Sequence, residues 1–150
     1  MSGHRDGTLR FWNIRDNQLI HEIRGVHDDL ISSVCYLPMD NGNKVVTSSR
    51  DHTIKVIDIR TLKVLNTYEN ENYYNSNDTS QIGVSPSGRY IALGSKNGKL
   101  IIMDILKDEG VVENIFDKQH HSCTIVSVDW SRRTSRIASV DTKGNLLVWN

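Results

Sequence analysis

No apolar run in this sequence is long enough to cross a bilayer. The longest, such as Leu100 to Met103 and Leu146 to Trp149, are four residues, against the ~20 that a spanning helix needs. Net charge is missing too, because 18 basic residues balance 18 acidic ones. That excludes a nucleic-acid or anionic-membrane surface held by bulk charge, so the expected partners are proteins and not nucleic acid. Met1 is followed by Ser-Gly-His-Arg-Asp and not by a charged and then an apolar segment, so no secretory signal is expected and the location is read as cytoplasmic. Cysteine is scarce. Cys35 and Cys123 sit in matching apolar segments without a CxxC partner and read as small buried thiols, not as disulfide or metal ligands.

Signals of catalysis are equally thin. The chain has no GxSxG and no phosphate-cradling GxxxxGK[ST], and no pair of carboxylates that the pattern places in a pocket. His120-His121-Ser122-Cys123 resembles a metal or nucleophile cluster, yet no second ligand pair stands at zinc-like spacing. The sequence therefore predicts no catalytic residue, no metal, no cofactor and no enzyme. Asn77-Asp78-Thr79 matches a glycosylation sequon, which without a secretory route is a chance match.

What is present is repetition. Phe11-Trp12-Asn13-Ile14, Val56-Ile57-Asp58-Ile59, Ile102-Met103-Asp104-Ile105 and Val148-Trp149-Asn150 recur at intervals of 45 (Trp12 to Ile57), 46 (Ile57 to Met103) and 46 (Met103 to Trp149) residues. A period of this length closed by a tryptophan-acid signature is that of β-propeller blades. Within each period, short β-rich runs alternate with turn residues and can be followed as strands a to d. The second repeat gives Ser33–Leu37, Val45–Ser48, Thr53–Ile59 and Lys63–Tyr68. The third gives Gln81–Ser85, Tyr90–Gly94, Lys99–Ile105 and Val111–Phe116, with Ser87-Gly88 and Asn97-Gly98 as hairpin turns. The first keeps Arg10–Ile14 and Gln18–Ile23, and the fourth Ile125–Trp130, Arg136–Val140 and Asn145–Asn150.

The predicted fold is all-β: about three and a half four-stranded blades of a ring of about seven. The blades fall at about 1–25 (incomplete), 26–71, 72–117 and 118–150 (incomplete). Because each blade buries its faces against neighbours, the stretch is expected to be part of a longer protein.

In such blades a His before strand a, a Ser or Thr in strand b, an Asp in the b–c turn and a Trp in strand c can knit the inner strands. The candidates for this structural network are Asp6 and Trp12 in the first repeat, His27, Ser48 and Asp51 in the second, and His120, Ser139 and Trp149 in the fourth. The third has Asn97 and Met103 and no evident His. The segment from Glu69 to Ser80, rich in Asn, reads as a solvated loop. With the b–c turns it supplies a candidate partner-binding rim of Arg5, Arg50, Tyr73, Tyr74 and Lys96, since aromatic and arginine side chains serve as anchors. Arg15 and Arg60 each follow an Asn or Asp by two residues at the end of strand c. The period of two puts both side chains on one face, where an ion pair across the turn is the simple reading.

Ser2-Gly3-His4 with Arg10 to Arg15, and Ser49-Arg50-Asp51 with Lys55 to Thr61, resemble WD-repeat propellers. With Lys118-Gln119-His120 and Ser139-Val140-Asp141, the chain is similar in register over essentially all of its length to the C-terminal propeller of the autophagy-related protein 16-like family. That resemblance implies a non-catalytic scaffold in autophagosome formation. An N-terminal region outside this stretch would bind the autophagy conjugation complex that attaches a ubiquitin-like modifier to lipid. The propeller would recruit receptor tails or proton-pump subunits, and would reach autophagosomal or endolysosomal membranes only through partners. Met103, where a Trp is usual, and the Asn-rich loop depart from the family. A different reading takes Trp12 to Arg15 and Ile57 to Arg60 as resembling the WDxR signature of substrate receptors of cullin-type ubiquitin ligases, with Arg15 and Arg60 contacting the adaptor. Asn13 and Ile57 depart from that signature.

Overall fold

The computed structural model describes residues 1–106, 112–116 (backbone only) and 121–150. Among these residues there are strands, turns and one 3-10 turn at Asp40–Gly42, and no α-helix. The strands form four antiparallel sheets. The first holds β1 (Ser2–Gly3), β2 (Leu9–Asn13) and β3 (Gln18–Ile23), and the second β4 (Ile31–Leu37), β5 (Lys44–Ser49), β6 (Ile54–Asp58) and β7 (Lys63–Tyr68). The third holds β8 (Gly83–Val84), β9 (Tyr90–Gly94), β10 (Leu100–Asp104) and β11 (Val112–Phe116), and the fourth β12 (Ile125–Trp130), β13 (Ile137–Asp141) and β14 (Leu146–Trp149). Each sheet is a meander, with sequential strands paired. Four successive antiparallel meanders packed through shared cores make a partial β-propeller.

Side-chain alternation explains the stacking. On β10, Ile101 and Met103 join Val46, Val56 and Tyr68 of the second sheet in one core, whereas Leu100 and Ile102 join Ile125, Val128, Ile137 and Trp149 of the fourth in another. A third core, of Leu9, Val26, Ile31, Val45 and Ile57, joins the first sheet to the second. Fully burying one such aliphatic side chain is worth about 1.5–3 kcal/mol. Strands of the middle sheets therefore read as nearly continuous apolar runs, LIIMD on β10 and YIALG on β9, because both faces are covered. On the outer sheets Ile20, Leu146 and Val148 stay more than half exposed.

Three register shifts occupy the same place in the repeat. The pairings of β2 with β3, β6 with β7 and β10 with β11 slip between Phe11 and Trp12, Val56 and Ile57, and Ile102 and Met103 respectively. Each shift inserts a bulge on the outer half of a sheet, which sharpens local twist. The expected strand Gln81–Ser85 is reduced to Gly83–Val84. Its start is drawn toward the fourth sheet, where the Gln81 amide donates to the Val126 carbonyl (3.1 Å), and Pro86 has no amide with which to extend the ladder.

Candidate functional site: sheet networks and the turn rim

In the fourth sheet four polar groups close a buried chain. The His121 ring meets Asp141 through Nδ1 (2.9 Å) and Ser139 through Nε2 (2.7 Å), and the Trp149 indole donates to Ser139 Oγ (2.8 Å). A ring with its proton on Nδ1 donates to the carboxylate and accepts the serine hydroxyl, so every group is satisfied. The Asn145 amide, with His121, holds the Asp141 carboxyl well below the ordinary carboxylate range. His120, predicted for this role, lies outside the described residues, and its neighbour His121 supplies the ring.

The second sheet has a related arrangement with a different hydroxyl. His27 meets Asp51 (2.9 Å) and Thr47 (2.8 Å), and Thr53 Oγ1 donates to Asp51 (2.8 Å). Burial pushes the His27 ring down from its usual value against the pull of Asp51. Burial would raise Asp51, but hydrogen bonds from Thr53 and His27 outweigh it and the carboxyl is lowered. Ser48 does not take the part predicted for it. Thr47 and Ser48 are adjacent on β5 and face opposite sides, so Thr47 meets His27 while Ser48 bonds Ser32 (3.0 Å) toward the third sheet. Counting finds the correct residue, because Ser139 stands ten before Trp149 and Thr47 ten before Ile57.

In the first sheet Trp12 donates to Ser2 Oγ (2.8 Å), again ten residues back, and that oxygen meets His4 (2.8 Å). Trp12 nevertheless remains 41% exposed. Asp6 is turned away from this chain and pairs with Arg10 (3.0 Å). In the third sheet Leu93 and Met103 occupy the hydroxyl and Trp positions, and Asn97 caps its turn by accepting the Lys99 amide (3.2 Å).

Segment 69–80, expected as a solvated loop, is pinned between two sheets. Asn75 is 1% exposed and donates to Ser32 Oγ (2.7 Å) and the Ser49 carbonyl (3.1 Å), while its own amide donates to His52 Nδ1 (3.1 Å). Ser95 Oγ donates to the Asn72 carbonyl (2.9 Å) and accepts the Tyr74 amide (3.0 Å). Tyr73, placed on the rim by its sequence position, is instead 3% exposed. Burial pushes its phenol up, against hydrogen bonds with Ser48 and Asn75. Alternation within the segment makes Tyr73 a core residue and leaves Tyr74 outside.

The other predicted rim residues lie in the b–c turns and in segment 69–80. Arg5, Arg50 and Lys96 fill equivalent positions in successive b–c turns, 45 and 46 residues apart. Arg5 and Lys96 are exposed, and Arg50 pairs with Asp78 (2.8 Å). Tyr74, 49% exposed, meets the His52 ring edge to face at 5.7 Å. Beside them Asp51, His52, Glu69, Asn70, Glu71, Tyr73 and Tyr74 line a cavity of about 480 Å³. Sequence reasoning missed His52 and Asp78, whose partners Asn75 and Arg50 are distant in sequence, and Glu69 and Glu71, which line the cavity. The turns need left-handed backbone: Gly7 has φ 69° and Gly98 φ 79°. A Cβ at Gly98 would strike the His121 carbonyl and one at Gly7 the His27 carbonyl, so each glycine seats the segment entering the next sheet.

After β6, Arg60 pairs with Asp58 (2.9 Å), and its guanidinium and amide hold that carboxyl down to about 2. Arg89 grips Asp104 (2.7 Å) in a comparable way in the third sheet. Arg15 is exposed, and its amide donates to Asn13 Oδ1 (3.0 Å). Cys35 and Cys123 are free and half-buried, where full burial was expected. Cys35 Sγ reaches the Ile82 carbonyl at 3.6 Å and burial raises its thiol.

The family model "WD domain, G-beta repeat" matches residues 17–58. That stretch is a WD repeat. The matched unit runs from β3 of the first sheet to β6 of the second, so this WD repeat bridges two sheets and ties them covalently. Protein tipD of Dictyostelium discoideum is 33% identical over 99% of the chain and 24% of its own length. Autophagy-related protein 16 of Arabidopsis thaliana is 32% identical over 99% of the chain and 28% of its own length. A guanine nucleotide-binding protein subunit beta of Zea mays is also 32% identical, over 99% of the chain and 40% of its length. The chain thus resembles autophagy-related 16 proteins along nearly all of its length, and spans about a quarter of the first of these relatives. No helix of the described residues is long and apolar enough to cross a membrane.

Proposed function

We propose that this WD-repeat stretch is a non-catalytic protein-interaction scaffold of an autophagy-related 16-type protein, recruiting partners to the machinery that attaches a ubiquitin-like modifier to lipid. The observation that carries the reading is the similarity to Autophagy-related protein 16 across 99% of the chain. The likeness to the G-protein beta subunit at equal identity supports a protein-binding role only in general terms.

The rim of Arg5, Arg50, Tyr74 and Lys96 is the contact surface in this proposal. Its basic residues recur at one repeat position, and a half-exposed aromatic stands among them, which suits anchoring of a partner. Receptor tails and proton-pump subunits are the partner types that the resemblance suggests. The protein works in the cytoplasm and meets autophagosomal or endolysosomal membranes through those partners. Contact with the conjugation complex belongs to the N-terminal region of such a protein.

The test is gene disruption followed by complementation. Loss of the gene product should lower modifier lipidation. Restoration should follow with the intact protein and fail with Arg5, Arg50, Tyr74 and Lys96 all changed to Ala. Unchanged lipidation after disruption contradicts the proposal.

One observation favours a second reading, a substrate receptor of a cullin-type ligase: Arg15 stands exposed at the end of β2. Arg60, its counterpart, is engaged by Asp58. Changing both arginines to Ala would abolish adaptor co-precipitation under this reading and leave modifier lipidation intact.

A further inference from the structure

Arg132-Arg133 is the one adjacent basic pair in the sequence. It lies in the turn joining β12 to β13, residues 131–136, and places guanidiniums three and two residues before Ser135. Side chains from Arg132 to Arg136 are all exposed. The turn is closed by the Ser131 amide donating to the Arg136 carbonyl (2.9 Å). Ser131 Oγ accepts the amides of Arg133 (3.3 Å) and Thr134 (3.2 Å), and Thr134 Oγ1 accepts that of Arg136 (3.3 Å). Two of the three hydroxyls are thus occupied as turn acceptors, while Ser135 Oγ has no partner among the described residues. Arg132, Arg133 and Arg136 likewise form no ion pair among the described residues, although the chain is neutral overall.

We propose that Ser135 is a phosphorylation site for an arginine-directed serine kinase. Such kinases select substrates by acidic subsites that take guanidiniums ahead of the acceptor serine. Ser135 Oγ would attack the γ-phosphorus of ATP, the bond to the β,γ-bridging oxygen would break, and ADP would leave. The serine proton goes to the kinase's catalytic carboxylate. The product places a group of about −2 charge among three unpaired guanidiniums, an arrangement that charge-assisted hydrogen bonds favour. Arg132 also lines, with Asp129, Trp130, Pro38 and Pro86, a cavity of about 640 Å³ between the second, third and fourth sheets. The modification would therefore change the charge at that cavity's edge. The proposal holds whichever partner the rim binds.

The experiment treats the natively folded full-length protein that carries this chain with the catalytic subunit of cyclic-AMP-dependent protein kinase and Mg-ATP, then maps the phosphate within this chain by mass spectrometry. Phosphate on Ser135 is expected, removed by S135A and kept within about twofold by T134A, since neither group is buried. The R132Q/R133Q double variant should slow incorporation at least about tenfold through loss of the two charge-assisted contacts. Melting curves should match for all variants. No incorporation, incorporation elsewhere, reaction only after denaturation in urea, or a rate indifferent to R132Q/R133Q would each overturn the proposal.

Discussion

At three matched positions, each 46 residues apart, the fourth sheet carries Ser139, Asp141 and Trp149 and the third carries Leu93, Ser95 and Met103, while His121 precedes the fourth sheet's strands and Tyr73 the third's. The fourth joins its inner strands by a buried hydrogen-bonded chain. The third fills the same space with apolar volume, for Leu93, Met103 and Tyr73 belong to one core with Leu37, Val46 and Val56. Its surviving polar member, Ser95, is redirected to the backbone of Asn72 and Tyr74. One repeat position thus accepts either chemistry, provided that all its partners change together. A half-converted set would strand a buried polar group, and among the described residues no buried side-chain nitrogen or oxygen lacks a partner.

The sharpest way to break this comparison is to give the third sheet one member of the fourth's set. Leu93→Ser removes core volume and buries a hydroxyl with no histidine to meet it, so chemical denaturation should show a loss of about 3–5 kcal/mol. A loss under about 1 kcal/mol would mean that the polar set is interchangeable piecemeal. The reciprocal change, Ser139→Ala, leaves the Trp149 indole and His121 Nε2 without their shared partner and should cost about 2 kcal/mol in the same measurement. Tyr73→Phe removes one buried hydroxyl and keeps the ring, and should cost about 1 kcal/mol, read as a small fall in denaturation midpoint. Arg50→Ala breaks an exposed pair with Asp78 and should cost at most about 0.5 kcal/mol, with little left to lose at high salt.

The amino-acid pattern carried the architecture because the repeat interval and the two-residue alternation are local properties. Strands such as Lys63–Tyr68 and Ile125–Trp130 begin and end where turn residues and apolar runs place them. What alternation could not decide was which of Thr47, Ser48 and Ser49 faces His27, since three hydroxyl residues in a row fit either parity. The segment from Glu69 to Ser80 was opaque for another reason. Its order comes from Ser32, Ser49, His52 and Ser95, all distant in sequence, and polar composition alone reads as solvation. Tyr73 shows the result: an aromatic among asparagines reads as exposed, yet it is buried in one core with Leu93 and Met103. The bulge shared by Trp12, Ile57 and Met103 left no local mark that the repeat interval could register.

The inner strands are joined in two ways, one polar and one apolar, and pH separates them. Burial holds the His27 ring neutral in the folded second sheet, with its value lowered, while in the unfolded chain it takes up a proton near pH ~6.5. Its contribution is therefore fully present above that pH and is lost as pH falls toward the depressed folded value. The lowered Asp51 adds a loss of the same sign below about pH 4. The third sheet has no buried histidine at the matched place. Amide hydrogen exchange resolved by residue, at pH 7 and again near pH 5.5 with intrinsic rates corrected, should show protection falling in β5 and β6 before it falls in β9 and β10. Equal loss in the two sheets, or unchanged protection in the second, would contradict the account.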